Sequence, residues 1–435
     1  MAQKETQKMT QQEAQKETPR TYDFDTPVNR RGTDSVKWDV KPGELPMTIA
    51  DMDFRTAPEI IEALTKKVET GIFGYEWPGD DYFSAVQNWQ TTRHQWTPQT
   101  DWMVFTTGVV PALSSLVRHI SNPGDNVLVQ TPVYNIFFNS IANNGRHPLA
   151  NPLSYNSSTH EYSVDWDDLE RKFADPLTTL MILCNPHNPV GKVWEPEELA
   201  RLVRLAEKHH VIIVSDEIHG DLVLRGEDMT PILSLPPQLR HNTIALVSPS
   251  KTFNIAALHA ATMIVADEGL RQKAERGLNC DEVAEPNLVA IPGTIAAYRN
   301  GGAWLDALKS YLLGNVEYVE QFLADNMPRI VPVRLGATYL MWLDCTDILH
   351  GQQERTQNRD ALYDSDTVDA LATRPGASDN FAAFIRKTTG LIVTPGSVYH
   401  GNGGNFLRIA LACPRSQVED AMNRLKKAYD LWLQR

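Results

Sequence analysis

Between residues 100 and 270 the chain alternates short, almost wholly apolar runs with longer stretches whose apolar positions recur every three or four residues. The short runs are "WMVFTTG", "NVLVQTP", "TLMILCNP", "VIIVSDE", "TIALVSPS" and "ATMIVA". Their β-branched content and their bounding proline, glycine, serine and aspartate residues predict strands buried on both faces. "VVPALSSLVRHI" and "EPEELARLVRLAEKHH" carry the helical period, and the second places its acids at the start and its bases at the end, as the helix dipole favours. Strands and helices in alternation predict an α/β fold, a mostly parallel sheet covered by helices, with ligands gathered beyond the carboxyl ends of the strands.

Outside that region the pattern thins. Residues 22–60 are rich in turn formers and end in "MTIADMDF". After Pro292–Gly293 a long helical pattern runs through "TIAAYRNGGAWLDALKSYLLGNVEYVEQFLADN", with Gly301–Gly302 as its weak point. It leads to strand-like "RIVPV", "ATYLMWLD", "GLIVTPG" and "NFLRIALA" and a closing amphipathic helix, "SQVEDAMNRLKKAYDLWLQR". We therefore expect a tail over residues 1–21, a large domain over 61–297, and a smaller α+β domain assembled from 22–60 and 298–435. "HGNGGN" reads as a turn.

Composition adds exclusions. A formal charge of -13 gives no basic footprint for nucleic acid. The four cysteines, at 184, 280, 345 and 413, form no CxxC pair, which argues against a disulfide framework or a structural zinc site and suits a reducing compartment. "MAQKETQKMTQQEAQKETPR" lacks the apolar core of a signal peptide, and no apolar run reaches membrane-spanning length, so the expected location is the cytoplasm. HExxH, GxGxxG before a helix and GxxxxGK[ST] are all absent, so zinc-protease, dinucleotide and Walker-type sites lack their marks.

The candidate chemistry sits where the apolar runs end. Gly108, Val109 and Val110 open a helix whose first amides suit an anion. Tyr134 follows "VLVQTP" and either lies flat on a ring-shaped ligand or packs in the core. Asn185 and Asn188 in "NPHNPVG" are turn residues or amide donors. Asp216, with Glu217 beside it, is a buried strand-end carboxylate that needs a partner such as a protonated ring nitrogen. His219 either supports a ligand or is a satisfied core histidine. Lys251, within "SPSKTFNI" and flanked by Ser248, Ser250 and Thr252, is an amine that burial would turn into a nucleophile toward carbonyls. Asp51 and Asp53 of "ADMDF" either line an entrance or are hydrogen-bonded packing, and Trp77 either meets substrate or anchors a turn.

Together "ADMDF", "FGYEWPGDDYFSAVQNW", "TTGVVPAL", "NPHNPVGKVW", "SDEIHGDLV", "SPSKTFNIAAL" and "NFLRIALACPR" resemble, in unchanged order from about residue 22 to the end, the fold-type I pyridoxal-phosphate enzymes of the class I/II aminotransferase superfamily. Within it they are most similar to the MalY/PatB branch of cystathionine β-lyases. The resemblance implies pyridoxal 5′-phosphate as cofactor, carried by Lys251, with Asp216 on its ring nitrogen, Asn188 and His219 near its 3-oxygen and Tyr134 stacked on it. It implies phosphate contacts from Gly108, Val109, Val110 and Ser248, and from Tyr75 of a neighbouring subunit, hence a homodimer with shared sites. Arg408 would grip the substrate α-carboxylate. His259 stands where many aminotransferases have a phosphate-binding arginine, a departure that the C–S lyase branch shares. The implied reaction is α,β-elimination from L-cystathionine or a related S-substituted cysteine, with transamination as the alternative fate and Lys251 or Tyr75 as the acid for the leaving sulfur. Some relatives contact transcription factors, so a protein-binding role stands beside catalysis, although no motif identifies a partner surface.

Overall fold

The computed structural model describes residues 21–353 and 376–435; the tail expected over residues 1–21 falls, up to residue 20, outside the described residues. Its centre is a seven-stranded sheet: β1 (Met103–Thr106), β2 (Asn126–Thr131), β3 (His147–Pro152), β4 (Thr178–Cys184), β5 (Ile212–Asp216), β6 (Thr243–Val247) and β7 (Ala261–Ile264). The strands lie in the order β1-β7-β6-β5-β4-β2-β3. β3, β2, β4, β5 and β6 run parallel, whereas β7 is antiparallel to both β6 and β1. All six apolar runs therefore become strands. Ile213, Val214, Ile244 and Leu246 are fully buried, as continuous apolar runs require of strands covered on both faces.

The predicted first helix forms as α1 (Val109–Ile120), entered directly from β1, and the second as α2 (Pro196–Lys208). Helix α2 starts at a capping box in which the Glu195 amide donates to Glu198 at 3.1 Å. The long C-terminal pattern breaks where expected. Helix Ala290–Asn300 ends at Gly301, and α3 (Gly302–Asn326) begins beyond it. Phe253 packs so closely there that a Cβ on Gly301 would lie 2.4 Å from its ring, which seats the Lys251 turn against this junction.

A second sheet carries β8 (Val331–Pro332), β9 (Leu340–Asp344), β10 (Thr394–Pro395) and β11 (Phe406–Ala410), in the order β8-β9-β11-β10 and antiparallel throughout. The N-terminal stretch joins it: Leu45–Pro46 pairs in parallel with Leu391–Ile392, and the Ala410 amide donates to the Met47 carbonyl at 2.9 Å. Residues 48–54 are thereby led between the second sheet and the turn that holds Lys251. Helix α4 (Arg415–Leu433) closes the chain. Among the described residues no helix is long and apolar enough to cross a membrane.

Candidate active site

The exits of five strands, β1, β2, β4, β5 and β6, and one arm of the second sheet converge on a single site. Asp216 is the last residue of β5, flanked in register by Cys184 of β4 and Leu246 of β6. Its Oδ1 accepts one hydrogen bond, from the Ile218 amide at 3.1 Å. Burial pushes its pKa up to about 7, against the pull of that amide and of nearby Lys251. A carboxyl group in this state lacks a cation. The neighbouring Glu217 points elsewhere: its Oε1 accepts from the Ser215 hydroxyl, the Ile232 amide and the Asn185 side chain, so it braces the loops behind the sheet.

Lys251 lies in the turn that follows β6, with Thr252 and Phe253 fully buried after it. Its Nζ donates to the Ala50 carbonyl at 2.7 Å. Burial holds its pKa below the usual lysine value, aided by Arg408 and opposed by Asp51 and Asp216. Lys251 and Asp216 therefore occupy one site and act on each other. The turn is anchored by Asp221, whose carboxylate accepts from Thr252 Oγ1 at 2.7 Å, Trp89 Nε1 at 2.8 Å and His94 Nε2 at 2.8 Å. Asp221 lies in the "SDEIHGDLV" stretch but had no role assigned from sequence, because its partners are 31 to 132 residues away.

Arg408 projects from β11. Its Nη1 donates to Asn188 Oδ1 at 3.2 Å, its Nη2 to the Thr48 carbonyl at 2.8 Å, and its buried Nε has no partner. The guanidinium lies 4.9 Å from the centre of the Tyr399 ring. Among the described residues it makes no ion pair, so it is a buried cation without a carboxylate partner. Tyr399 had no sequence signal beyond being an aromatic at the edge of the glycine-rich loop before β11. The Asn188 oxygen is taken by Arg408, leaving its NH₂ group as a donor; Asn185 instead donates to Thr230 and Glu217 and is structural. His219 is buried with Nδ1 unpartnered, and burial together with Lys251 and Arg408 lowers its pKa to about 3, so the ring is neutral. Tyr134 is half-buried, and its hydroxyl feels Asp216 and Arg408.

The anion end of the site is built on α1. Gly108 has φ +145, a conformation that favours glycine, and a Cβ there would lie 3.3 Å from Pro111 Cδ. The amides of Val109 and Val110 open the helix, without intrahelical acceptors of their own. Ser248 Oγ lies 2.7 Å from the Ala260 carbonyl, 2.8 Å from Ser250 Oγ and 3.1 Å from the Ser250 amide, so its one proton is spent on bracing the turn. His259 is exposed with φ +50. We expect Gly108→Ala to strain this entry by about 1–3 kcal/mol. Weakened retention of an aromatic phosphate, measured by equilibrium dialysis, with helix content unchanged, is the expected result.

Tyr75 does not join these residues within one chain. It is 102% exposed, in an extended stretch with Ile72, Phe73 and Trp77 also exposed. Trp77 lines a separate groove of about 550 Å³ with Phe83, Met103 and Phe105. Asp51 and Asp53 pair with Arg30 and Lys37, with Asp53 buried and Asp51 partly exposed.

The residues present fit pyridoxal phosphate. A buried carboxyl group short of a cation, an amine of lowered pKa, an unpartnered imidazole nitrogen and a helix N-terminus with a strained glycine match a ring nitrogen, an aldehyde, a phenolic oxygen and a phosphate. Among the described residues no group of three or more His, Cys, Asp or Glu side chains could hold a metal ion.

The profile of the family described as aminotransferase class I and II matches residues 47–425. The chain is 38% identical to cystathionine beta-lyase PatB of Bacillus subtilis over 412 residues, covering 93% of this chain and 99% of that protein. It is 33% identical to protein MalY of Escherichia coli, covering 94% and 98%. The crystal structure of cystalysin from Treponema denticola, which contains a pyridoxal 5′-phosphate cofactor, superposes with a TM-score of 0.84 at 31% identity, covering 94% of this chain and 99% of that one.

Proposed function

The chain belongs to the aminotransferase class I and II family, and from that membership we propose that it is a pyridoxal-phosphate-dependent carbon–sulfur β-lyase that cleaves L-cystathionine or a related S-substituted cysteine. One observation carries the reading: a buried guanidinium, Arg408, and a buried carboxyl group, Asp216, flank the Lys251 amine, and neither makes an ion pair among the described residues. The similarity to PatB decides the reaction class within the family. The net conversion is L-cystathionine plus water to L-homocysteine, pyruvate and ammonia.

The cofactor, when bound, supplies a ring that accepts the electron pair left when the substrate Cα–H bond breaks. Lys251 would hold the aldehyde end and, as a free amine, would take the α-proton on Nζ; burial lowers its pKa and so favours the neutral amine that this role requires. Arg408 Nη1 and Nη2 exchange Asn188 and Thr48 for the two oxygens of the substrate carboxylate, which fixes the Cα–H bond relative to Lys251. Asp216 would accept the hydrogen bond of a protonated ring nitrogen and so would hold that proton in place. Asn188 Nδ2 and His219 would hold the phenolic oxygen, Tyr134 would cover one ring face, and the amides of Val109 and Val110 would hold the phosphate. The lysine ammonium, or Tyr75 of a second subunit, returns a proton to the departing sulfur.

We further propose a cytoplasmic homodimer. The exposed run Ile72, Phe73, Tyr75 and Trp77 is unusual for a monomer surface, and a second copy would both cover it and receive Tyr75.

Incubation with L-cystathionine and no added keto acid separates the reactions. Continuous release of pyruvate, equal to the thiol released, is the expected result. Product formed only when a keto acid is supplied would identify an aminotransferase instead.

A further inference from the structure

The "ADMDF" stretch forms a charge cluster that the chemistry above leaves unused. Asp53 is buried and accepts three hydrogen bonds: from Lys37 Nζ at 2.8 Å, Trp38 Nε1 at 2.7 Å and Arg30 Nη1 at 3.0 Å. Asp51 receives Arg30 in a two-pronged pair, at 2.8 and 2.7 Å. Two cations against two carboxylates leave the cluster neutral, so it offers nothing to a free ion. Its hydrogen bonds go instead to the backbone. Lys37 Nζ reaches the Asp51 carbonyl at 3.1 Å and Arg30 Nη1 the Met52 carbonyl at 3.1 Å. From the other side Asn254, three residues after Lys251, binds the Met52 amide and the carbonyls of Met52 and Phe54. The Asp53 amide is tied to Ala412 on the arm that carries Arg408.

Every polar backbone group around residues 51–54 named here is thus fixed, while the two carbonyls just ahead of them point into the site. Thr48 accepts from Arg408, and Ala50 accepts from Lys251. We propose that Arg30, Lys37, Asp51 and Asp53 are positioning residues, which hold the 48–50 strap so that the Thr48 carbonyl pre-aligns Arg408 until the substrate carboxylate replaces it, while the Ala50 carbonyl holds the free Lys251 amine until the cofactor takes that nitrogen. The strap itself is half-exposed and has no regular secondary structure; Met47 is tied to the second sheet on one side of it, and the cluster, with Asn254, fixes the residues on the other.

This inference rests on the proposed reading of Arg408 as the carboxylate clamp. Asp51 is the member to test, because it is partly exposed and its replacement leaves the Asp53 pairs intact. In Asp51→Asn holoenzyme, KM for L-cystathionine and Kd for the unreactive α-methyl-L-serine, read from the visible spectrum, should both rise about tenfold, with kcat per bound cofactor within about threefold of wild type. Asp51→Glu should restore both constants. Hydrogen exchange at the amides of Asp51 and Asp53 should quicken in Asp51→Asn, with α4 unchanged. A variant that only carries less cofactor, with Kd, KM and strap exchange as in wild type, would overturn the proposal. Because Kd needs no turnover, it remains decisive even where the pyruvate assay rejects the lyase reading.

Discussion

Lys251→Ala should abolish turnover, with kcat/KM falling by a factor on the order of 10⁴, and should remove the visible absorption of the purified protein. Two losses combine in this one substitution. The nitrogen that anchors the cofactor and the base that takes the α-proton are the same atom, and the nearby Lys37 amine is committed to Asp53 and the Asp51 carbonyl. The nearby cation, Arg408, cannot act as a base in a protein. The carbonyl that now accepts from Lys251, that of Ala50, offers no proton chemistry either. Lys251→Arg separates charge from nucleophilicity: it keeps a cation near Asp51 and Asp216, so cofactor should still bind by its phosphate, yet turnover should be as low as with alanine. Turnover near wild type in either variant would mean that another group holds the cofactor. The measurement pairs a pyruvate assay with an absorption spectrum and a phosphate count per subunit, so that loss of chemistry is separated from loss of binding.

How much of this was legible in the sequence depended on what carries the signal. Buried strands announce themselves by continuous apolar runs, and all six such runs were read. β3 was not, because "HPLANP" holds two prolines and only two bulky or small apolar side chains; an edge strand with one neighbour tolerates both. Side chains at strand ends were readable because burial makes a carboxylate or an amine conspicuous there. The same reasoning could not separate Asn185 from Asn188, since turn chemistry is equally good for both and only the position of Arg408, 220 residues away, distinguishes them. Backbone acceptors were invisible altogether. The Thr48 and Ala50 carbonyls have no residue-type signature, so the strap could be seen only as the motif that follows it. Tyr75 shows the remaining limit: its exposure within one chain is explained by what lies outside that chain, which neither the spacing of residues nor a single set of contacts can supply.

Asp216→Asn should be the second severe change, lowering kcat/KM by roughly 10³ while altering the pH dependence of stability in the cofactor-free protein. The kinetic part follows from the proton that the carboxylate holds on the ring nitrogen; an amide can accept a hydrogen bond there but brings no charge to keep the ring cationic. The stability part has a definite sign. In the cofactor-free protein Asp216 titrates near pH 7, above its value of about 4 in the unfolded chain. Between those values the folded state holds a proton that the unfolded state has lost, so unfolding free energy falls as pH rises, by an amount on the order of a few kcal/mol across the window. Glu217, also raised to about 7, acts in the same direction. His187 and His219, lowered to about 4 and about 3, act against it up to the ordinary histidine range, because they stay neutral while their unfolded counterparts are charged. The wild-type curve mixes these with further shifted groups such as His400 and Asp221, whereas the difference between wild type and Asp216→Asn isolates the one carboxyl group. That difference should favour the variant progressively from pH 4 to pH 7 in chemical denaturation of cofactor-free protein, and should shrink when pyridoxal phosphate is added and the carboxylate gains its cation. A difference that stays flat across this range would mean that Asp216 is already paired without the cofactor, and the assignment of the ring nitrogen to it would fail.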